Sequence, residues 1–478
     1  MPPTEVDETA PLLSELSSPG EYKDQKFSLW GDLVLLTRQS LPICLSFALQ
    51  NVVQALSVLM AGTLGSFEMK VTSYGFMFFS CTGTMIAIGG ATALDTMCAQ
   101  AFTSHTAASN PKILGVLLQQ CLLVLLGIFG ILVVPLWVFS GPIFVSLGQE
   151  RDFALATGRF MLFMLPAGVL QVVAECVKKF IQVQGASNAV GWATAVASAL
   201  GVLFTGVLVR WSSLNLWAIP CGFCLYQLLT VLTLAFLIFT MPAIKSAWSS
   251  SVPKISRELS LLLFYAVTGI LTIATEWWSF EILAMMAARL DPDAIGAQSI
   301  LMSSDLLFTT ISLGISVASS HRIGGLLGAG QGSLAKRAMA TPYLLSLIIG
   351  AIEFVGIMLA RNHYGRIFTD DAGVIKLTAK VLPLMAGFQV LDLSNGGAGG
   401  ILRGAGKNHL SGACNFLAYY GVGLTSAWFL CFRRNYGIFG LWAGIISGSG
   451  ALLVLQSACL LTINWRKLAQ NVSRAHEA

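Results

Sequence analysis

Charge is what this chain has least of. Of its 478 residues only 11% are Asp, Glu, Lys or Arg and 55% are hydrophobic, with a mean hydropathy of +0.75. Soluble domains carry about 25% charged residues, so a water-soluble globule is excluded. The formal net charge of +5 gives no basis for a nucleic-acid partner, and the basic residues read better as orientation signals. Histidine is scarce too. His105, His321, His363, His409 and His476 fall in predicted loops, at span ends or in the tail, which removes the usual ligands of a membrane metalloenzyme. No metal site, no nucleophile–base pair and no cofactor is expected. The ten cysteines are scattered, and Cys221 and Cys224, though at redox-motif spacing, sit in an apolar run and are expected to pack. Gly404-Ala405-Gly406-Lys407-Asn408 is a broken phosphate loop, because Ile401 holds the first glycine position and Asn408 the hydroxyl position. A cleavable signal peptide is not expected either, since the opening positions are polar and mixed in charge.

What is present is a series of apolar runs, each near the length a bilayer demands. The fold class is an all-α polytopic membrane protein with about twelve transmembrane helices in two pseudo-symmetric six-helix lobes. The spans are expected near 39–62, 72–95, 113–138, 155–177, 188–209, 215–241, 259–288, 296–319, 340–360, 378–400, 410–431 and 437–463. The expected organisation is a disordered cytosolic tail (1–38), an N-terminal lobe (39–241), a cytosolic linker (242–258), a C-terminal lobe (259–463) and a cytosolic tail (464–478). Basic residues such as Arg38, Lys112, Lys178, Lys179, Lys245, Arg322, Arg403 and Arg466 crowd one side. Roughly half as many, among them Arg151, Arg210, Arg361, Arg366 and Lys376, fall on the other, which places both termini in the cytosol. Within the N-terminal tail, Glu8 followed by Leu12 and Leu13 has the form of an acidic dileucine signal, read by sorting adaptors for a vacuolar or lysosome-like membrane; without it the plasma membrane is the expected address.

The halves repeat each other. Met60-Ala61-Gly62-Thr63-Leu64 aligns with Met286-Ala287-Ala288-Arg289-Leu290, setting Gln50 opposite Glu276. Gln184-Gly185-Ala186-Ser187 aligns with Arg403-Gly404-Ala405-Gly406, each after a span containing a proline (Pro166, Pro383). Such a repeat in an apolar chain points to a transporter with its site between the lobes.

The chemistry centres on Thr275-Glu276-Trp277-Trp278-Ser279-Phe280-Glu281 in the seventh span. A carboxylate at membrane depth costs about 2.5–3.5 kcal/mol on insertion scales, so it is rarely there without a function. On an ideal helix the two glutamates diverge by roughly 140°, so one is expected to face a cavity and the other a neighbouring helix. Burial away from water favours a protonated carboxylate, which suits proton coupling. Trp277 and Trp278 offer cation–π contact. Asp392, before a glycine-rich stretch, is a third candidate for proton coupling, while Gln50, Asn51 and Asp305 are candidates for substrate contact. Glu175 reads as a snorkelling ion pair with Lys178 or Lys179 at a helix end, and Asp95 as a structural or gating group tying down helix ends. Glu353 has no polar company in sequence.

Four stretches together carry a family resemblance: residues 94–102 (Leu94-Asp95-Thr96 through Gln100 and Phe102), 276–281, 314–323 with 327–330, and 400–406. In this order and in these spans they resemble the multidrug and toxic compound extrusion (MATE) family, in its eukaryotic branch. The resemblance implies a two-lobed bundle of twelve helices that exchanges protons, or sodium in some bacterial members, for small organic cations and metabolites across the lipid bilayer. It maps the family's acids of the seventh and tenth spans onto Glu276, Glu281 and Asp392; separately, Asp95, Gln100, Arg322 and Arg403 are candidates for structural or gating roles. Ser303 departs by standing where animal-type relatives carry a glutamate, although Asp305 can substitute from another face. Gly325 replaces a usual asparagine, and Ala99 and Thr103 replace usual glycines. The alternatives are a lipid-linked oligosaccharide flippase of related architecture and a membrane-embedded enzyme.

Overall fold

A computed structural model describes residues 28–104, 110–249 and 257–477, and every regular element among them is helical. Twelve helical spans follow one another. They are α1 (Leu29–Leu64), α2 (Ser66–Phe102), α3 (Ile113–Val138), α4 (Arg151–Val183), α5 (Ser187–Trp211), α6 (Asn215–Thr240), α7 (Arg257–Ala287), α8 (Pro292–Gly328), α9 (Ala340–Tyr364), α10 (Ala372–Gly404), the interrupted α11 beginning at Asn408, and α12 (Gly437–Thr462). Eleven are long and apolar enough to cross a membrane as single helices. The eleventh span, α11, is broken into Asn408–Phe416, Leu417–Leu424, Thr425–Trp428 and Phe429–Arg433, the second and fourth pieces being π-helical.

The helix ends correct several boundaries. α1 starts at Leu29 rather than near 39, because Ser28 caps it, its hydroxyl accepting from Gly31 N at 3.3 Å, and Asp32 sits in the first turn. The expected tail therefore yields ten residues to the first helix, and the proposed signal at Glu8, Leu12 and Leu13 lies outside the described residues. Within the linker, Pro242–Ala247 is a short helix; beyond Ser249 the linker lies outside the described residues up to Arg257. The closing segment, expected as a cytosolic tail, is helical. It forms a helix, α13 (Trp465–Glu477), whose Trp465 and Ala469 are buried against the α8 end and the short helix Gly332–Ala338.

Small residues set the close packing that positions the acids. Gly396, Gly400 and Gly404 on α10 lie against Ser312, Ser316 and Ser320 on α8, and a Cβ at any of the three would collide with the α8 backbone or hydroxyl. Ser312 Oγ donates to the Asp392 carbonyl at 3.0 Å and Ser316 Oγ to the Gly396 carbonyl at 2.6 Å. This stripe of small and hydroxyl residues brings two backbones together and fixes the rotation of α10, hence the direction of Asp392. The halves of the chain meet along two seams. α1 runs against α8, where Gly314 faces Cys44 and Ser40. α2 runs against α7, where a Cβ on Gly89 would stand 2.7 Å from Ile270 Cα. The repeated turns are related but not identical: Gly185 takes a positive φ of 88° after α4, whereas after α10 the residue that does so is Gly406 (φ 68°), and the aligned Gly404 stays helical.

Candidate functional site

Between the halves lies a cavity of about 400 Å³, within the range of small-molecule sites. It occupies the part of the bundle away from both termini. α1 contributes Gln50 and Asn51, α2 Ser80, Cys81 and Thr84, α7 Glu276, Trp277, Phe280 and Glu281, α8 Asp305 and Thr309, and α10 Asp392. Among the described residues, four carboxylates line it and no lysine or arginine does. A smaller polar space of about 60 Å³ continues into the C-terminal half, sharing Glu276, Trp277 and Asp392 with the cavity and reaching Asn395, Arg403 and Asn408. Two acids thus stand on the boundary between a roomy apolar-and-acidic chamber and a narrow polar one.

α7 holds its acids without a break. Thr268, Thr272 and Thr275 each donate to the carbonyl four residues back, and Ser279 to that of Glu276 at 2.6 Å, so the hydroxyls are satisfied inside the helix. Glu276 faces the C-terminal half. Glu281 reaches the opposite half, where its Oε1 accepts from Cys81 Sγ at 3.5 Å. Asp305 Oδ1 accepts from Gln389 Nε2 at 2.7 Å, tying α8 to α10. Asn51 Nδ2 donates to the Leu306 carbonyl at 3.2 Å across the α1–α8 seam. Asp392 Oδ2 is buried, with no hydrogen-bond partner among the described residues.

Nearer the termini, the seams are ionic. Asp95 on α2, 0% exposed, lies 3.1 Å from Lys179 Nζ on α4 and 2.8 Å from His321 Nε2 on α8. Arg322 Nη2 donates to Asp32 Oδ1 at 2.6 Å, joining α8 to α1. Thr96 Oγ1 donates to the Arg403 carbonyl at 2.8 Å, Gln100 Nε2 to that of Gly404 at 2.9 Å, and Thr103 Oγ1 to that of Gly325 at 2.7 Å. The Arg403 guanidinium donates to Ser316 Oγ on α8. The two halves are thereby locked together on the side of the termini.

The MatE family model matches residues 42–207 and 269–429, most of the chain. The chain belongs to the MatE family. It is similar to an uncharacterized transporter of Schizosaccharomyces pombe, 31% identical over 98% of this chain and 86% of the relative. It is also similar to Protein DETOXIFICATION 16 of Arabidopsis thaliana (29%, covering 99% and 95%) and to multidrug and toxin extrusion protein 1 of Homo sapiens (28%, covering 87% and 72%). A crystal structure of the eukaryotic MATE transporter AtDTX14 superposes with a TM-score of 0.85 at 24% identity, over 94% of this chain and 99% of that one. The likeness supports the two-lobed, twelve-helix fold, and the MatE protein is a transporter rather than an enzyme.

On this MatE scaffold most of the sequence-selected residues come together. Glu276, Glu281, Asp392, Trp277, Gln50, Asn51 and Asp305 share the cavity. The expectation that one seventh-span glutamate would turn away needs correction: both line the cavity, because it is wide enough to be reached from two faces of α7. Trp278 is corrected in the other direction. It is 46% exposed, lies outside the cavity lining and donates from Nε1 to the Cys81 carbonyl at 3.3 Å, since consecutive helical residues point about 100° apart. Ser303 is exposed, whereas Asp305 enters the cavity. Asp95 does not tie down a helix end; α2 continues to Phe102 and the side chain sits in mid-helix. Glu175 pairs with Lys178 at 2.5 Å, but both are buried, so the pair does not snorkel. His321 lies inside α8, which runs nine residues past the expected span. The departures at Thr103 and Gly325 face each other across one hydrogen bond, and Ala99 packs where Gly324 leaves room. Asp32, His321 and Gln389 were missed by sequence reasoning. The one signal for His321 was its place in the 314–323 stretch, directly before Arg322.

Proposed function

We propose that the protein is a proton-coupled antiporter that moves small organic, often cationic, compounds across its membrane by alternating access. The observation that carries this reading is the set of four carboxylates on one inter-lobe cavity that no lysine or arginine lines. Such a chamber attracts a cation, and a cation and a proton then compete for the same oxygens, which couples their movements. Rocking of the lobes about the α1–α8 and α2–α7 seams would expose the acids to either side in turn. No cofactor is needed, because the proton gradient supplies the energy; sodium is the less favoured ion. Both termini are assigned to the cytosol, with a vacuolar or lysosome-like membrane reached through adaptors at Glu8, Leu12 and Leu13, or otherwise the plasma membrane. An oligosaccharide flippase would want cations around a pyrophosphate, which this acidic lining does not offer.

The test is proteoliposomes loaded with a cationic dye and given an imposed pH gradient. Dye movement should follow the gradient and stop when nigericin collapses it; movement indifferent to the gradient would sink the proposal. Within the same assay the two tryptophans should separate. Trp277→Ala should raise the dye KM roughly 2- to 30-fold, the size of a cation–π contact of about 0.5–2 kcal/mol from exposed to desolvated. Trp278→Ala should leave it within about twofold. Equal effects of the two would show that the ring on the cavity wall does not touch substrate.

A further inference from the structure

At the end of the bundle opposite the termini, the last turn of α9, the turn Gly365–Ile367 and the first turns of α10 enclose a cleft of about 370 Å³. Its lining includes Arg361, Arg366, Lys376 and Lys380, with Asn362, and no carboxylate. Among the described residues none of the four cations is in an ion pair, although such pairs form elsewhere in the chain.

We propose that this cleft is a binding site for a phosphate-bearing anion, held where a lipid headgroup can reach it. The placement of the cations argues against plain surface charge. Arg361 lies in the last turn of α9 and Arg366 just beyond its C-terminal end, where a helix dipole favours positive charge. Lys376 and Lys380 receive no such help. They lie in the second and third turns of α10, four residues apart, an arrangement of like charges that is itself destabilising. With the termini in the cytosol, all four also stand on the face that basic residues ordinarily avoid. The nearby carboxylate of Asp371 is committed elsewhere, its Oδ1 accepting from Gly373 N at 2.8 Å as the α10 cap, and Asp370 lies outside the lining. A bound anion removes the mutual repulsion of the four.

The cleft is a built feature. Gly365 is packed on Ile375, with room for a Cβ only 3.1 Å from its Cα, and the rings of Tyr364 and Phe368 meet at 5.6 Å. Those contacts fix the turn against α10. Ile367 (76% exposed) and Phe368 (47%) project beside the cleft, an apolar flank suited to acyl chains next to a headgroup.

Retention of phosphatidylglycerol against phosphatidylcholine by the purified full-length protein, followed by native mass spectrometry, tests the site. Thermal stability in inorganic phosphate against chloride at equal ionic strength is measured in parallel. Wild type should retain phosphatidylglycerol selectively. K376Q/K380Q and, separately, R361Q/R366Q should each lower that retention roughly tenfold or more, at about 1 kcal/mol for each basic residue near an anionic headgroup. The control K336Q/R337Q, on the helix Gly332–Ala338 at the other end of the bundle, should not. Stabilisation by inorganic phosphate that both cleft variants abolish would place a free phosphate in the same site; selectivity for the lipid alone would make the ligand a headgroup. Equal retention of the two lipids together with no response to phosphate overturns the proposal, as does a loss no larger in the cleft variants than in the control.

Discussion

Glu276→Gln should abolish accumulation driven by a pH gradient while leaving gradient-free exchange of the same dye within about threefold of wild type. The substitution keeps the shape of the side chain and its capacity to hydrogen-bond, and removes only its ability to take up and release a proton. One pH unit is worth about 1.4 kcal/mol for each proton exchanged, a tenfold accumulation, and this is what the variant forfeits. Asp392→Asn is expected to behave alike, because both groups border the cavity and the polar space inside the C-terminal half. Glu281→Gln should fall less, since Glu281 is turned toward Cys81 of the other half. Uptake into vesicles with and without an imposed gradient checks the set. Undiminished gradient-driven uptake in both Glu276→Gln and Asp392→Asn would remove these acids from the coupling.

Asp95→Asn is the substitution expected to cost the most stability. It strands the Lys179 ammonium, which is as buried as the carboxylate it faces. Breaking a buried pair by removing one partner costs about 3–5 kcal/mol, chiefly the penalty of the unpaired charge. For a chain of this length that corresponds to a fall in melting temperature of about 3–5 °C. The second substitution Lys179→Met, added to the first, should recover most of the loss because it removes the stranded charge. Melting of the two variants in one detergent checks this. A single variant as stable as wild type, or a double variant no better than the single, would mean that the pair is not dry. Both variants keep an oxygen that can accept from His321 but lose the carboxylate charge there, so the termini-side seam should loosen somewhat in each.

The lobes, the spans and the acid-lined cavity were legible because they depend on local signals. Length and hydropathy count spans, and a carboxylate in an apolar run announces itself wherever it later points. The ionic seam was not legible. Asp95 and His321 are 226 residues apart, and Asp32 and Arg322 are 290 apart, so no spacing rule connects them. Their helices also outrun the hydrophobic windows: Lys179, His321 and Arg322 lie beyond the expected span ends yet inside α4 and α8. Hydropathy ends a helix where charge begins, but a charge that finds a partner in the opposite half can be buried with its helix intact. The same reasoning explains α11. Its apolar content marked a span, while the π turns that interrupt it carry no sequence signature of hydropathy or length.

If the lobes rock as proposed, the contact of Gly89 with Gly269 and Ile270 has a thermodynamic consequence. Two helices touching through main chain have no side chains to unlock when they pivot, so α2 can roll on α7 without rotamer changes and with little configurational penalty at that point. Resistance to the proposed motion would then fall on the ionic and hydrogen-bonded contacts near the termini, the ionic ones depending on water access. In the proposed motion such a bundle would pivot easily at this contact, with an electrostatic catch at one end. Its conformational barrier should therefore respond to ionic conditions on the termini side far more than to the packing of its apolar core.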